Sequence, residues 1–407
     1  MNSGDTAWML VSTALVMLMT PGLALFYGGM VRRKNLINTI MMSFAILALV
    51  GVLWIVFGYT LGFGPDVGGF IGNLKFLGMS GVGEVPSDTY ATTIPHLVFM
   101  MYQGMFAIIT VALITGAVVE RIKFSSFMVF GAIWLAVVYG PISHWVWGYG
   151  GWLAKLGVLD FAGGTVVHID AGISALALCL LLGVRQGFKK DNMEPNNIPM
   201  VLIGAALLWF GWFGFNAGSA LAANGLAGNA FVTTNTATAA ACLTWMILSW
   251  RTRKPTLLGA ATGAVVGLVA ITPAAGFVTP MASIAIGAIA ACASYYVMIW
   301  RSKRNFDDSL DVFACHGVGG IVGALATGLF ATVAVNAAGT DGLFYGNAMQ
   351  FAKQALAVVA VGSYAFAGTW IIGKIIDKTM GLRVKELEEV VGLDLSQHGE
   401  RAYGGIK

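Results

Sequence analysis

The chain has 407 residues, 57% of them apolar and only 10% charged, with 54 glycines and a formal net charge of +4. Soluble domains carry about 25% charged residues. The composition therefore excludes a soluble globular enzyme, gives no basis for a nucleic-acid partner and points to a polytopic membrane protein embedded in the lipid bilayer.

The chain opens with Met-Asn-Ser-Gly-Asp, which has no basic n-region, and its first apolar run is long enough to span. A retained helix is expected there, not a cleaved signal peptide. A spanning helix needs about 20 apolar residues. On that basis eleven are expected, at 6–31, 36–63, 93–119, 126–147, 163–183, 199–222, 229–250, 257–275, 280–300, 310–333 and 349–378. The abundant glycine predicts close helix packing. A 29-residue loop, 64–92, holds Asp66, Glu84 and Asp88; the other loops are short.

Basic residues cluster at Arg32-Arg33-Lys34, Arg121/Lys123, Arg185/Lys189/Lys190, Arg251/Arg253/Lys254, Arg301/Lys303/Arg304 and in the tail from Lys374. Twenty of the 23 lysines and arginines lie in these segments, which follow every second span. Positive loops face the cytoplasm, so the expected topology is N-terminus outside and C-terminus inside. Five spans per half reverse the orientation of the second half, which predicts a 5+5 inverted-topology repeat plus a C-terminal eleventh helix. The fold class is then all-α. Residues 1–378 would form the membrane domain, with halves at about 6–183 and 199–333 and helix 11 at about 349–378. Residues 379–407 would form a polar tail.

Two spans carry a histidine in the same local setting. His168-Ile-Asp-Ala-Gly-Ile173 and His316-Gly-Val-Gly-Gly-Ile321 both fit His-x-x-x-Gly-Ile, and each has an aspartate eight residues upstream, Asp160 and Asp308. Ionisable groups at membrane depth are costly and mark pathways or sites. A pair of imidazoles offers one N–H and one lone pair per ring, which suits a pore lining, a metal or haem ligand set, or a proton relay. Asp160 reads as a helix N-cap or as a carboxylate near an outer vestibule. Asp170 and Asp311 read as structural. Tyr102, Phe106, Tyr139, Trp147, Trp212 and Phe215 fit an interfacial belt or core, or a cation–π site with aromatic gates, with Ser219 as a hydrogen-bond acceptor. No P-loop, nucleotide fingerprint or metalloprotease motif is present in the sequence, so no enzyme activity, cofactor or metal site is expected.

The ordered strings Pro21-Gly-Leu-Ala-Leu-Phe-Tyr-Gly-Gly-Met30, Asp160-Phe-Ala-Gly-Gly-Thr-Val-Val-His168, Gly211-Trp-Phe-Gly-Phe-Asn-Ala-Gly-Ser219, Thr272-Pro-Ala-Ala-Gly276 and Asp311-Val-Phe-Ala-Cys-His-Gly317 resemble the ammonium transporters of the Amt/Mep/Rh superfamily, on the Amt side. The resemblance covers essentially the whole chain. It implies a homotrimer of the plasma membrane, with one ammonium/ammonia pore per subunit, serving nitrogen utilization. It also implies an outer ammonium site of Trp147 and Ser219 beside Tyr102 and Phe106, supported by Asp160. A gate of Phe106 and Phe215, twin pore histidines His168 and His316, and a lining of Trp212 and Thr272 complete the set. Tyr102 departs from the phenylalanine of many relatives.

The tail pieces Gly381-Leu-Arg383, Gly392-Leu-Asp394 and His398-Gly-Glu400 resemble the family's regulatory segment, which couples in many members to a PII-type signalling protein. Arg383, Gly392, Asp394, His398 and Glu400 are its candidate residues. Charge transfer, rather than electroneutral ammonia flow, is the expectation the resemblance favours. Two other readings are open: a haem protein using both imidazoles, and an ammonium sensor with little flux.

Overall fold

The computed structural model describes residues 1–252 and 254–404; Arg253 of the fourth basic cluster and the last three tail residues lie outside the described residues. Among the described residues ten helices are long and apolar enough to cross a membrane. In chain order, with one shorter helix included, these are α1 (Ser3–Met30), α2 (Arg33–Phe63), α3 (His96–Val118), α4 (Phe124–Leu156), α5 (Gly164–Leu182), α6 (Ile198–Ala220), α7 (Gly225–Thr252), α8 (Leu257–Ile271), α9 (Pro280–Ser302), α10 (Phe313–Phe330) and α11 (Ala348–Thr379). Local chemistry sets several starts. The side chains of Asn2, Asn197 and Thr279 accept the first free N–H groups of α1, α6 and α9, and a proline follows at the start of the latter two, where its missing N–H costs nothing.

Two expected spans differ. The fourth runs on to Leu156, with a break at Gly148–Gly151. The eighth stops at Ile271 instead of 275, because Pro273 removes a backbone donor just beyond it. Its 15 residues reach about 22 Å, short of the roughly 30 Å hydrocarbon core. The long loop also holds two small hairpins, β1 (Asp66–Val67) with β2 (Ile71–Gly72) and β3 (Pro86–Ser87) with β4 (Ala91–Pro95), where only loop was expected.

First and last helices of the two halves meet in pairs: α1 packs along α6, and α5 crosses α10. At the second crossing Gly172 lies against the backbone of Gly317, so closely that a Cβ would collide with it. That contact brings the two histidine-bearing segments together. Both segments begin with a π-helical turn, Gly164–Ile169 and Phe313–Val318.

One end of the bundle is basic and tied by buried ion pairs. Glu120 bonds to Arg32 and Arg185, and Arg185 bonds to Asp307. Burial alone would push the Glu120 carboxyl up; the Arg185 and Arg32 guanidinium groups outweigh it and hold the group below its usual range. The tail docks on this end. Ile122 and Arg383 form a β-bridge, and Arg383 pairs with Glu389. A short helix, α12 (Glu386–Val391), leads into Asp394, which accepts the Asn38 N–H at 2.8 Å.

Candidate functional site

Asp160 builds the opposite end of the bundle. Its carboxylate accepts from the backbone N–H groups of Gly163, Gly164, Thr165 and Val166 and from the Thr165 hydroxyl. These are the free donors at the start of α5, so the N-cap reading describes what this side chain contacts. Asp308 repeats the device on α10, accepting from Phe313 at 2.7 Å. The Asp160 backbone carbonyl also receives the Trp147 indole N–H at 3.0 Å.

Asp160, Trp147, Tyr102, Phe106 and Ser219 together line an open cavity of about 350 Å³. The Ser219 hydroxyl donates to the Phe215 carbonyl at 2.9 Å, which leaves its oxygen lone pairs for the cavity side. Tyr102 donates to the carbonyls of Gly214 and Phe215, and its oxygen lies 3.2 Å from Ser219 Oγ. The hydroxyl that departs from the resemblance is thus tied to the backbone of α6. Phe106 lies edge-on to Trp147, with ring centres 5.7 Å apart.

Below the cavity Phe106 stacks on Phe215 with ring centres 4.1 Å apart. Beyond that stack lies an enclosed space of about 10 Å³ bounded by His168, His316, Trp212 and apolar side chains. This is close to the least volume that holds one water-sized molecule. The two imidazoles are buried, and their Nδ1 atoms lie 3.3 Å apart. A single hydrogen bond between two Nδ1 atoms requires one to donate and the other to accept. His168 Nε2 has no partner among the described residues. The His168 ring stacks on Trp212 at 5.3 Å, and the Trp212 indole donates to Thr272 at 2.8 Å. Thr272 is therefore a second-layer support of the chamber wall.

The tail candidates lie at the basic end, away from this cavity. Arg383 reaches Glu389 and the Leu182 carbonyl. Gly392 has φ +107° and packs on Lys34, a conformation that L side chains rarely adopt. His398 contacts the Asn38 amide at 2.9 Å. Glu400 lines a cleft of about 300 Å³ with Arg33, Lys34, Asp394 and Tyr403. Sequence reasoning missed Glu120, Arg185, Asp307 and Glu389, whose partners come from distant segments. It placed Asp311 among structural contacts, and Asp311 pairs with Arg301 at 2.6 Å. Asp170 makes no such contact: both its oxygens are unpaired among the described residues.

Apolar helices enclosing an aromatic cavity and a histidine chamber define a multi-pass membrane protein. The chain belongs to the Ammonium Transporter Family, which matches residues 7–403. It is 51% identical over 405 residues to "Ammonium transporter" of Bacillus subtilis (strain 168), covering 99% of each chain. It is 52% identical over 404 residues to "Ammonium transporter Amt1" of Archaeoglobus fulgidus, covering 99% of this chain and 100% of that one. Among solved structures it is similar to Candida albicans Mep2, with TM-score 0.90, 37% identity, and 99% and 91% of the two chains covered. It is also similar to a structure titled "Sensor Amt Protein", with TM-score 0.88, 28% identity, and 97% and 98% covered. These curated relatives are named as transporters rather than enzymes.

Proposed function

We propose that the chain carries ammonium across the plasma membrane as ammonia plus a separately moved proton. Ammonium is captured at Trp147 and Ser219, beside Tyr102 and Phe106, with Asp160 holding the loop that positions Trp147. It gives up a proton near the Phe106–Phe215 gate. Ammonia then passes His168 and His316, with Trp212 and Thr272 in the wall. The observation that carries this reading is the aromatic stack between an open, aromatic cavity and an enclosed chamber the size of one small molecule.

The energetics favour losing the proton. Deprotonating an ion of pKa about 9 at neutral pH costs about 3 kcal/mol, at 1.36 kcal/mol per unit. Moving a bare ion into low dielectric has an idealised cost of about 20 kcal/mol. Potassium has no proton to lose, so the same chamber rejects it.

Further parts of the proposal follow the basic-loop pattern and the paired helix contacts. The membrane domain, 1–378, has eleven spans, N-terminus outside and C-terminus inside. Its two halves form an inverted repeat, with the short α8 completed by the turn that follows it. The tail, 379–407, is a regulatory segment that meets a PII-type protein at the cytoplasmic face through Arg383, Gly392, Asp394, His398 and Glu400. The assembly is a homotrimer.

The test is charge displacement in proteoliposomes on a solid-supported membrane. A saturable ammonium current with none for potassium is expected, and His168→Ala is expected to abolish it or relax its selectivity. Undiminished, selective current in that variant would remove the relay role from His168. A sensor reading draws on the likeness to the "Sensor Amt Protein" structure. It predicts ammonium binding with neither current nor ammonia entry.

A further inference from the structure

Asp170 lies two residues beyond His168 on α5, wholly enclosed, with both carboxylate oxygens unpaired among the described residues. The Tyr139 hydroxyl is equally enclosed and also meets no hydrogen-bond partner there. Tyr139 lies beside Trp134, with ring centres 6.3 Å apart, and the Trp134 indole reaches Ser174 one turn on from Asp170, which places the two groups in one region, with Thr110 near the tyrosine.

These enclosed polar groups lie on a face of α5 turned away from the histidine chamber. One turn on from Asp170, Ser174 accepts from the Trp134 indole of α4 and the Thr369 hydroxyl of α11. That contact sets this face of α5 against α4 and α11, whereas His168 faces Trp212 and His316. Around Asp170 the titratable groups are Tyr139 from α4, Tyr364 from α11 and His168 on its own helix; the Tyr364 hydroxyl donates to Val137. Among the described residues no cation pairs with Asp170. Thr110 in turn donates to the carbonyl of Phe106, the gate residue one turn earlier on α3. Polar groups therefore step from the gate helix through Thr110 and Tyr139 toward Asp170. Tyr139 ends one π-helical turn, Leu135–Tyr139, and Asp170 directly follows another; such turns recur at functional sites. Enclosed polar groups without partners need an explanation, and carboxyls in membrane cores mark proton relays.

We propose that Asp170 is a proton-binding station behind the pore helix, reached through the Tyr139 hydroxyl. It rests on the reading that ammonium gives up a proton at the gate. One N–H bond of ammonium breaks there, and its electron pair stays on ammonia. Tyr139 Oη and the Asp170 oxygens lie beyond direct hydrogen-bond distance of any partner among the described residues, so water completes the relay: Tyr139 receives that proton as it passes its own to Asp170. An O–H bond forms on the carboxylate, whose charge goes from −1 to 0. Release toward the basic end restores the carboxylate.

Asp170→Asn keeps the size and removes the titratable carboxyl. In proteoliposomes the ammonium current is expected to fall about 100-fold, while ammonia entry followed by internal pH is unchanged. In infrared difference spectra, ammonium should alter a protonated-carboxyl band in the parent protein, and the Asn variant should lack that band. Asp170→Glu should restore part of the current. Full current in the Asn variant together with no residue-170 carboxyl band overturns the proposal. Where current and band disagree, the band decides: its presence supports the station and its absence overturns it. A parent protein without ammonium current refutes the charge-transfer part of the proposed function, and the band then still decides the role of Asp170.

Discussion

Replacing Asp160 by alanine removes an acceptor from four backbone N–H groups and one hydroxyl at the start of α5. Three of the backbone contacts are short, at 2.6–2.8 Å. At about 1–1.3 kcal/mol for each of these three short bonds, the change costs about 3–4 kcal/mol. For a chain of this length, extending the trend for smaller domains to about 1–2 °C per kcal/mol, unfolding is expected about 3–8 °C lower. The first turn of α5 frays as well, and with it goes the anchor of the Trp147 indole on the Asp160 carbonyl. Half-saturation by ammonium should therefore worsen in step with the loss of stability. Asp160→Asn keeps one accepting oxygen and should fall between alanine and the parent in both measurements. Unfolding followed by tryptophan fluorescence in detergent, beside half-saturation of the current, checks this. The reasoning is refuted if both variants unfold within about 1 °C of the parent while half-saturation rises about tenfold. Asp160 would then act as a distant attractor of cations, worth about 1.4 kcal/mol per tenfold change, and not as the organiser of the loop.

Tyr102→Phe deletes a hydroxyl held by two backbone carbonyls and should cost about 1 kcal/mol of stability with half-saturation unchanged; a tenfold shift would mean that the hydroxyl meets the substrate. Phe215→Leu breaks the ring stack with Phe106 and should change the ammonium current while potassium, still facing the apolar chamber, gives none, read on the same solid-supported membrane; a potassium current would place the selectivity at the ring stack. Arg185→Ala leaves the buried Glu120 and Asp307 short of a partner. Breaking such a network costs about 3–5 kcal/mol, and the yield of folded protein on size-exclusion chromatography should collapse. In the tail, burial lowers His398, against the pull of Asp394 and Glu400. Docking stability from this ring is therefore present above its ordinary value of about 6.5 and is lost as pH falls through the depressed docked value. Burial raises Asp394, so that carboxyl favours docking only at lower pH, toward the carboxylate range. The tail should be cut faster by protease at about pH 5.5 than at about pH 7.5; equal protection at both would refute this.

Spans and histidines were legible because both depend on short-range rules. A long apolar run with basic residues at alternate ends needs no partner to be recognised, and ten of the eleven expected helices lie within four residues of their observed bounds. The eighth was drawn too long because Thr272 and Ala274–Ala275 continue an apolar pattern through Pro273, and hydropathy carries no backbone geometry. The Asp160 cap was one of two readings its place before α5 allowed, and Asp308 was marked only by its matching position eight residues before His316. The Glu120–Arg185–Asp307 network had no such mark, since its members are 65 and 122 positions apart. The π-helical turns under both histidines leave no mark in composition, although they set which way the rings face. Asp170 was assigned a structural contact because an aspartate near a helix start usually finds one; only the absence of a partner in the fold separates it from Asp160.

The docked tail also bears on how the protein is made. Its anchors are the Asn35 side chain, which accepts from Leu393, and the Asn38 backbone, which donates to Asp394. Both belong to the second helix to leave the ribosome, so these groups wait through the synthesis of more than three hundred residues for their partners. Until then a row of bare amides and Lys34 stands at the mouth of the second helix. A chain stalled before α12 differs from a finished one at this spot, whatever the state of its membrane core. The docked tail is thus a mark of completion that quality control could read from the water side.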